Sequence, residues 1–117
     1  SKPQPPSLHS PKVNIYDTIE NIRLEFVVPG FNKDDFKITV EEGVLNVQVE
    51  YKSEINDSEQ NCTRREYNFR SFSRSFTLPD TVNADAVAAS YQSGILMVTL
   101  PKKEESKPAE PRRISVN

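Results

Sequence analysis

The residue types that most often carry out chemistry are scarce in this sequence. It holds one histidine, His9, one cysteine, Cys62, and three glycines. Zinc sites need several Cys or His ligands at fixed spacing, and phosphate loops need clustered glycines, so neither is predicted. The paired acids at 34–35 and 41–42 flank turns and are interpreted as solvated. We therefore expect no enzyme, no cofactor and no bound metal.

Arg74 is the charged residue whose position is most informative. It has the same parity as Phe72, Phe76 and Leu78, so in a strand its side chain points to the apolar face. A buried charge needs a partner, and Glu66 lies a short distance upstream. Two interpretations remain open: an ion pair with Glu66 of a neighbouring subunit, or an arginine at the sheet edge that extends into water.

The end of the chain carries a second pattern that could bind. The charged, proline-rich linker 101–113 is followed by Ile114 and Val116, two β-branched residues two positions apart. In an extended chain such residues point to the same side, so they form an apolar pair from which Ser115 faces away.

Strands must position these residues, because apolar and polar residues alternate along the body of the chain. Seven such runs cover residues 13–15, 22–28, 36–40, 45–51, 72–78, 87–91 and 96–100. Turn-forming pairs such as Glu42-Gly43 and Ser93-Gly94 separate them. Seven short strands with one apolar face each predict an all-β, immunoglobulin-like two-sheet β-sandwich.

Residues 53–63 do not fit this scheme, because they are polar and numerous for a hairpin loop. The strand-like residues that follow have no obvious partner inside the domain. The segment is either a floppy hairpin tip or a strand that crosses to pair with a neighbouring subunit, and the pattern favours neither.

Length and composition set the remaining limits. The chain has 117 residues and a net charge of −2, which predicts one domain without the basic field that attracts nucleic acid or an anionic membrane. Its single cysteine fits a reducing cytoplasm. We expect a disordered and truncated N-terminal arm at 1–11, the domain at 12–101 and a flexible extension at 102–117.

Residues 12–101 resemble the α-crystallin domain of the small heat shock proteins (the Hsp20 family), in the bacterial and plant-type branch. Five motif regions in the same order carry the resemblance. They are V-P-G-F and K-D-D-F-K-I-T-V within 28–40, E-E-G-V-L-N-V at 41–47, R-R-E-Y at 64–67, S-F-S-R-S-F-T-L-P at 71–79 and A-S-Y-Q-S-G-I-L at 89–96. The last holds the family's A-x-x-x-x-G-x-L signature at Ala89, Gly94 and Leu96.

The resemblance implies a strand-swapped dimer and larger assemblies. The mid-chain segment would be the exchanged strand, with Glu66 and Arg74 at the family's acidic and basic positions of the dimer contact. Residues Arg65, Tyr67 and Phe69 would complete this contact. Ile114 and Val116 match the family's C-terminal I-x-I/V motif, although a disordered tail could end this way by chance. The groove that receives the motif would lie between strands 36–41 and 87–91, lined by Ile38, Val40, Val87, Ala89 and Tyr91.

The implied activity is an ATP-independent chaperone that holds unfolding proteins and prevents their aggregation. Its partners would be copies of itself and non-native client proteins, with neither nucleic acid nor membrane. The alternative is a passive sandwich module, either a p23-like co-chaperone or an adhesive domain, which needs no I-x-V tail. Two features depart from the family: the arm before Val13 is poor in large apolar residues, and Arg70 stands where relatives often carry glycine, so the turn geometry there would differ.

Overall fold

The computed structural model describes the backbone of residues 11–56 and 65–117 and the side chains of 11–51 and 70–117. Seven strands lie in this part of the chain: β1 (Val13–Asp17), β2 (Asn21–Val27), β3 (Phe36–Glu41), β4 (Val44–Asn56), β5 (Arg65–Thr77), β6 (Ala88–Gln92) and β7 (Ile95–Pro101). Three single-turn 3₁₀ helices connect or follow them, at Lys33–Asp35, Ala84–Ala86 and Glu104–Ser106.

The strands form two antiparallel sheets, which confirms the predicted β-sandwich. The first has the order β1-β2-β7-β6 and the second the order β3-β4-β5. Period-two patterning explains the arrangement, since each strand has one apolar face to bury and the two sheets bury those faces against each other.

The core lies between the sheets. Leu24 and Phe26 of β2 are buried from one side, and Val47 of β4 is buried from the other. The Phe26 ring joins the two sheets, because its centroid lies 6.3 Å from that of Phe72 and 6.0 Å from that of Phe76, both on β5. The polar residues between these positions face away from the core, as the alternation predicts.

Two tight hairpins follow the predicted turn pairs. Glu42 and Gly43 connect β3 to β4, and Ser93 and Gly94 connect β6 to β7, with positive φ at all four residues. Such turns match the right-handed twist of the strands they join, and they fix the register of both hairpins. Gly94 has a second role, since a Cβ there would lie 3.2 Å from Pro29.

The β4–β5 hairpin is longer than the sequence predicted. Residues 65–69 continue β5 and pair with residues 52–56 of β4, from Lys52 opposite Phe69 to Asn56 opposite Arg65. In this single chain the segment therefore has an intramolecular partner, because the backbone of β4 offers the nearest free edge in sequence. Pairing with a neighbouring subunit remains a prediction.

Candidate functional site

A groove lies between the edge strands of the two sheets. β3 ends one sheet and β6 ends the other, so neither sheet closes over the space between them. The space has a volume of about 470 Å³. Its lining consists of Lys33, Phe36, Ile38, Ala89, Ser90, Tyr91, Gln92 and Leu96. Edge strands carry free backbone N–H and C=O groups, so the groove can accept an extended segment.

The structure brings together part of the predicted groove. Ile38, Ala89 and Tyr91 line it. Val40 and Val87 are half-buried and pack against the core, and they are not among its lining residues. Val40 lies on β3, and Val87 directly precedes β6.

Sequence reasoning missed several lining residues. Phe36 has the same parity as Ile38, so the alternating pattern could have found it. Leu96 pairs with Tyr91 across the β6–β7 hairpin, which is visible only once the register is known. Lys33, whose position precedes β3, and the polar residues of β6 carry no apolar signal, and only the fold places them at the groove.

Aromatic contacts form one wall of the groove. The ring of Phe36 lies 4.7 Å from that of Tyr91, centroid to centroid. The Tyr91 hydroxyl donates a hydrogen bond to the Val28 carbonyl oxygen at 2.8 Å and accepts one from the Phe31 N–H at 3.3 Å. Because ring and hydroxyl are both held, the wall is formed before anything binds.

The signature residues lie on the β6–β7 hairpin, which contributes Tyr91 to this wall. Ala89 is exposed at the groove, and Leu96 is 2 % exposed in the core beneath it. Gly94 forms the turn, and its carbonyl oxygen accepts a hydrogen bond from the Val28 N–H at 2.8 Å. The three residues therefore shape the hairpin, its turn and its contact with the loop after β2.

The C-terminal apolar pair is not buried in this chain. The side chain of Ile114 is 78 % exposed and that of Val116 is 95 % exposed. Two large apolar side chains, two positions apart, are thus available to a partner surface.

The first part of the extension packs against its own domain. Lys102 forms an ion pair with Asp17 at the end of β1, and its backbone N–H donates to the carbonyl oxygen of Glu20, in the β1–β2 connection, at 3.0 Å. Lys107 forms ion pairs with Glu20 at 2.9 Å and Glu104 at 2.7 Å. The hydrogen bonds to the carboxylates of Glu104 and Glu20 raise the pKa of Lys107 above its ordinary value. The extension is therefore held to the domain at least as far as Lys107.

Arg74 occupies the inward position that the parity argument predicted. It lies on β5 opposite the buried Val47, is half-buried, and has its guanidinium carbon 5.1 Å from the Phe76 ring centroid. Among the side chains of 11–51 and 70–117, no ion pair involves Arg74. The side chains of Glu66, Arg65, Tyr67 and Phe69 lie outside the described residues, so the predicted contacts with them are untested.

The outer edge of β1 is a second open surface. Among the described strands β1 pairs only with β2, and its other edge ends the four-stranded sheet. Ile15 is 61 % exposed there although it pairs with the buried Leu24 on the inward side of the sheet. An edge with an exposed apolar side chain favours the addition of another strand.

Residues that could hold a metal are not clustered in the described parts of the chain. His9 and Cys62 lie outside these parts. No helix within them is long and apolar enough to cross a membrane. Among the described residues, the groove, the outer edge of β1 and the apolar pair of the tail are open to a partner.

Comparison with known proteins identifies the class. Residues 14–117 match the family model for the Hsp20/alpha crystallin family, so the chain belongs to that family. It is 34 % identical over 97 residues to small heat shock protein C2 of Rickettsia felis. The aligned region covers 83 % of this chain and 63 % of that protein. The chain is 37 % identical over 110 residues to the chloroplastic heat shock 22 kDa protein of Chlamydomonas reinhardtii, covering 92 % and 69 %.

Solved structures agree. A small heat-shock protein from Xylella fastidiosa superimposes with a TM-score of 0.64 at 32 % identity, covering 92 % of this chain and 95 % of that one. Heat shock protein 16.0 from Schizosaccharomyces pombe superimposes with a TM-score of 0.65 at 27 % identity, covering 94 % and 100 %. The sandwich is therefore an α-crystallin domain.

Proposed function

We propose that this protein is an ATP-independent chaperone that binds unfolding proteins and keeps them from aggregating. One observation carries the proposal: the same chain has an open groove with an aromatic wall and an exposed apolar pair that could fill it. Membership of the Hsp20/alpha crystallin family supports the chaperone role. We expect it to work in the cytoplasm, although some relatives carry the word chloroplastic in their names.

Assembly would proceed through the tail. Ile114 and Val116 would enter the groove of another copy, with β3 or β6 supplying backbone hydrogen bonds to the extended segment. Burying two β-branched side chains contributes roughly 3–5 kcal/mol before the ordering of the tail is subtracted. Each contact is therefore weak, and a stable assembly needs several contacts at once.

The dimer would use the mid-chain hairpin. The distal part of the hairpin, residues 52–69, would reach the open β1 edge of a partner, where Ile15 is exposed. Glu66 would then meet Arg74 of the partner, which supplies the carboxylate that a half-buried guanidinium needs. Arg65, Tyr67 and Phe69 would lie along the same contact.

Weak, multiple contacts suit a holding chaperone. Such a protein removes unfolded chains from the pool that aggregates by binding them, without a chemical step. Subunits held by several weak contacts can separate when heat unfolds client proteins, which exposes the grooves and the apolar edges.

The test compares the parent chain with Ile114→Ala/Val116→Ala and, as a matched control, with Ser115→Ala, which faces away from the pair. Light scattering measures the mass of each, and a heat-labile enzyme reports suppression of aggregation. We expect the parent and the control to form large assemblies and the double variant to stop at the dimer. A parent that is monomeric at every concentration and suppresses no aggregation would favour the passive module.

A further inference from the structure

Arg70 makes an unusual set of contacts at the base of the β4–β5 hairpin. Its guanidinium carbon lies 5.0 Å from the ring centroid of Phe31 and 5.1 Å from that of Tyr51, so the cation packs against both rings. Its Nη2 donates a hydrogen bond to the Gly30 carbonyl oxygen at 2.9 Å. Arg70 thus joins β5 to the loop after β2, forty positions away in sequence.

The absence of a side chain at Gly30 leaves space for the Arg70 guanidinium. Gly30 has a φ of +89°, and a Cβ at this position would lie 3.1 Å from Arg70 Nη1. A side chain at residue 30 would therefore be strained and would also push against the guanidinium. Within the part of the chain that the structure describes, the buried Nε atom of Arg70 has no hydrogen-bond partner, so packing against the rings must offset the loss of that bond.

The rings lead from Arg70 to the groove. Phe31 contacts Phe36 with 5.9 Å between the ring centroids, and Phe36 contacts Tyr91 at 4.7 Å. Phe36 and Tyr91 form the groove wall, and the Tyr91 hydroxyl is bonded to the same loop through the Phe31 N–H and the Val28 carbonyl. An unbroken series of contacts thus runs from the base of the hairpin to the surface where the tail would bind.

We propose that Arg70 is a positioning residue for the groove: it fixes the loop at 29–31, and through Phe31 and Phe36 it sets the orientation of Tyr91. The affinity of the groove for the tail then depends on the base of the hairpin. This inference rests on the proposed role of the groove as the tail receptor. It also links the two assembly contacts, because Arg70 directly follows the segment that would reach the dimer partner, and such coupling acts in both directions.

Peptide binding tests the coupling in the full-length chain. The background is Ile114→Ala/Val116→Ala, which leaves the groove free of its own motif. The probe is a fluorescent peptide of residues 108–117, and the same peptide with both alanines is the negative control. Arg70→Ala should weaken peptide binding about five- to tenfold, within the range typical of coupling between sites. Arg70→Lys keeps the charge but loses the planar guanidinium, so its peptide affinity should lie between those of the parent and of Arg70→Ala.

Arg23→Ala is the matched control, since Arg23 also packs over a tyrosine, with its guanidinium carbon 5.3 Å from the Tyr16 ring centroid, but on strands that do not line the groove. A second measurement needs no peptide. In protein labelled with 3-fluorotyrosine, the ¹⁹F signal of Tyr91, assigned with Tyr91→Phe, should shift in Arg70→Ala and stay in place in Arg23→Ala.

The outcomes separate the two proposals. Equal peptide affinity in parent and Arg70→Ala would overturn the role of Arg70 and leave the groove as the tail receptor. A peptide that does not bind the parent would overturn the groove proposal, and the Tyr91 signal would still decide whether Arg70 positions that wall. A lower unfolding temperature with unchanged affinity and an unchanged Tyr91 signal would reduce Arg70 to a purely structural residue.

Discussion

The rings of Phe36 and Tyr91 lie 4.7 Å apart and join the edge strands of two different sheets. No ladder of backbone hydrogen bonds connects β3 to β6 in the described chain, so side-chain contacts such as this one link the two edges. The edges keep their free backbone groups while the space between them has a fixed shape. A preformed site costs less to occupy than one that must order on binding, which favours a short two-residue anchor.

A charge placed in the groove should block assembly. Ala89 is exposed at the groove, and in Ala89→Glu an entering apolar pair would have to desolvate the carboxylate, at a cost comparable to the whole gain from burying that pair. We expect large assemblies to fall to the mass of a dimer, as measured by light scattering. Ala88→Glu is the control, because Ala88 pairs with Thr99 and faces the other side of β6. Unchanged mass in Ala89→Glu would remove the groove from assembly.

Removal of Arg74 should weaken the dimer. In the Ile114→Ala/Val116→Ala background, Arg74→Ala should raise the dimer dissociation constant about tenfold or more, because a charge pair lost from a partly buried contact costs above about 1.4 kcal/mol. Analytical ultracentrifugation measures the constant. Lys37→Ala, an exposed cation on β3 of the same sheet, should leave it unchanged. If the two variants behave alike, Arg74 is an edge arginine that packs on Phe76 and extends to water.

The contact between Lys107 and the domain should weaken at high pH. Hydrogen bonds to Glu104 and Glu20 raise the pKa of Lys107, so the docked state favours the charged amine. The charged Lys107 amine therefore stabilises the docked extension fully at a pH below its ordinary pKa of 10.5. This stabilisation is lost as the pH rises through the raised pKa of Lys107. A ¹³C NMR titration of the Lys107 Cε should show a lower midpoint in Glu104→Gln and in Glu20→Gln. Glu105→Gln, a neighbouring acid outside these ion pairs, is the control. A midpoint that neither Glu104→Gln nor Glu20→Gln moves would contradict the ion pairs.

Truncation of Phe26 should destabilise the sandwich as a whole. Its ring is fully buried and contacts Phe72 and Phe76 of the opposite sheet. Phe26→Ala should lower the free energy of unfolding by about 3–5 kcal/mol. Val27→Ala, one position along the same strand and 43 % exposed, should change it by less than about 0.5 kcal/mol. Urea unfolding in the Ile114→Ala/Val116→Ala background separates this effect from assembly, and similar values for both variants would show that the core does not depend on this ring.

Local patterns in the sequence determined the strands, their faces and the turns. The side-chain period of an extended chain is two, so alternation alone identifies the buried face of β2 or β4. Glu42-Gly43 and Ser93-Gly94 adopt positive φ because the short hairpin turn requires it, and this too is a local property. The inward position of Arg74 follows from the same parity.

Only the tertiary structure decided which strands lie next to each other and what meets between them. Leu96 of β7 and Lys33 of the 3₁₀ turn before β3 are far apart in sequence. Both line the groove because the fold brings these two elements together. Arg70 has the same parity as Phe72 and Arg74, which predicts only that it points inward, and the fold then brings its guanidinium onto Phe31 and Gly30. Periodicity predicts the direction in which a side chain points but not which residue it contacts. Contacts between strands depend on sheet order and register, and these are determined by the packing of the whole chain.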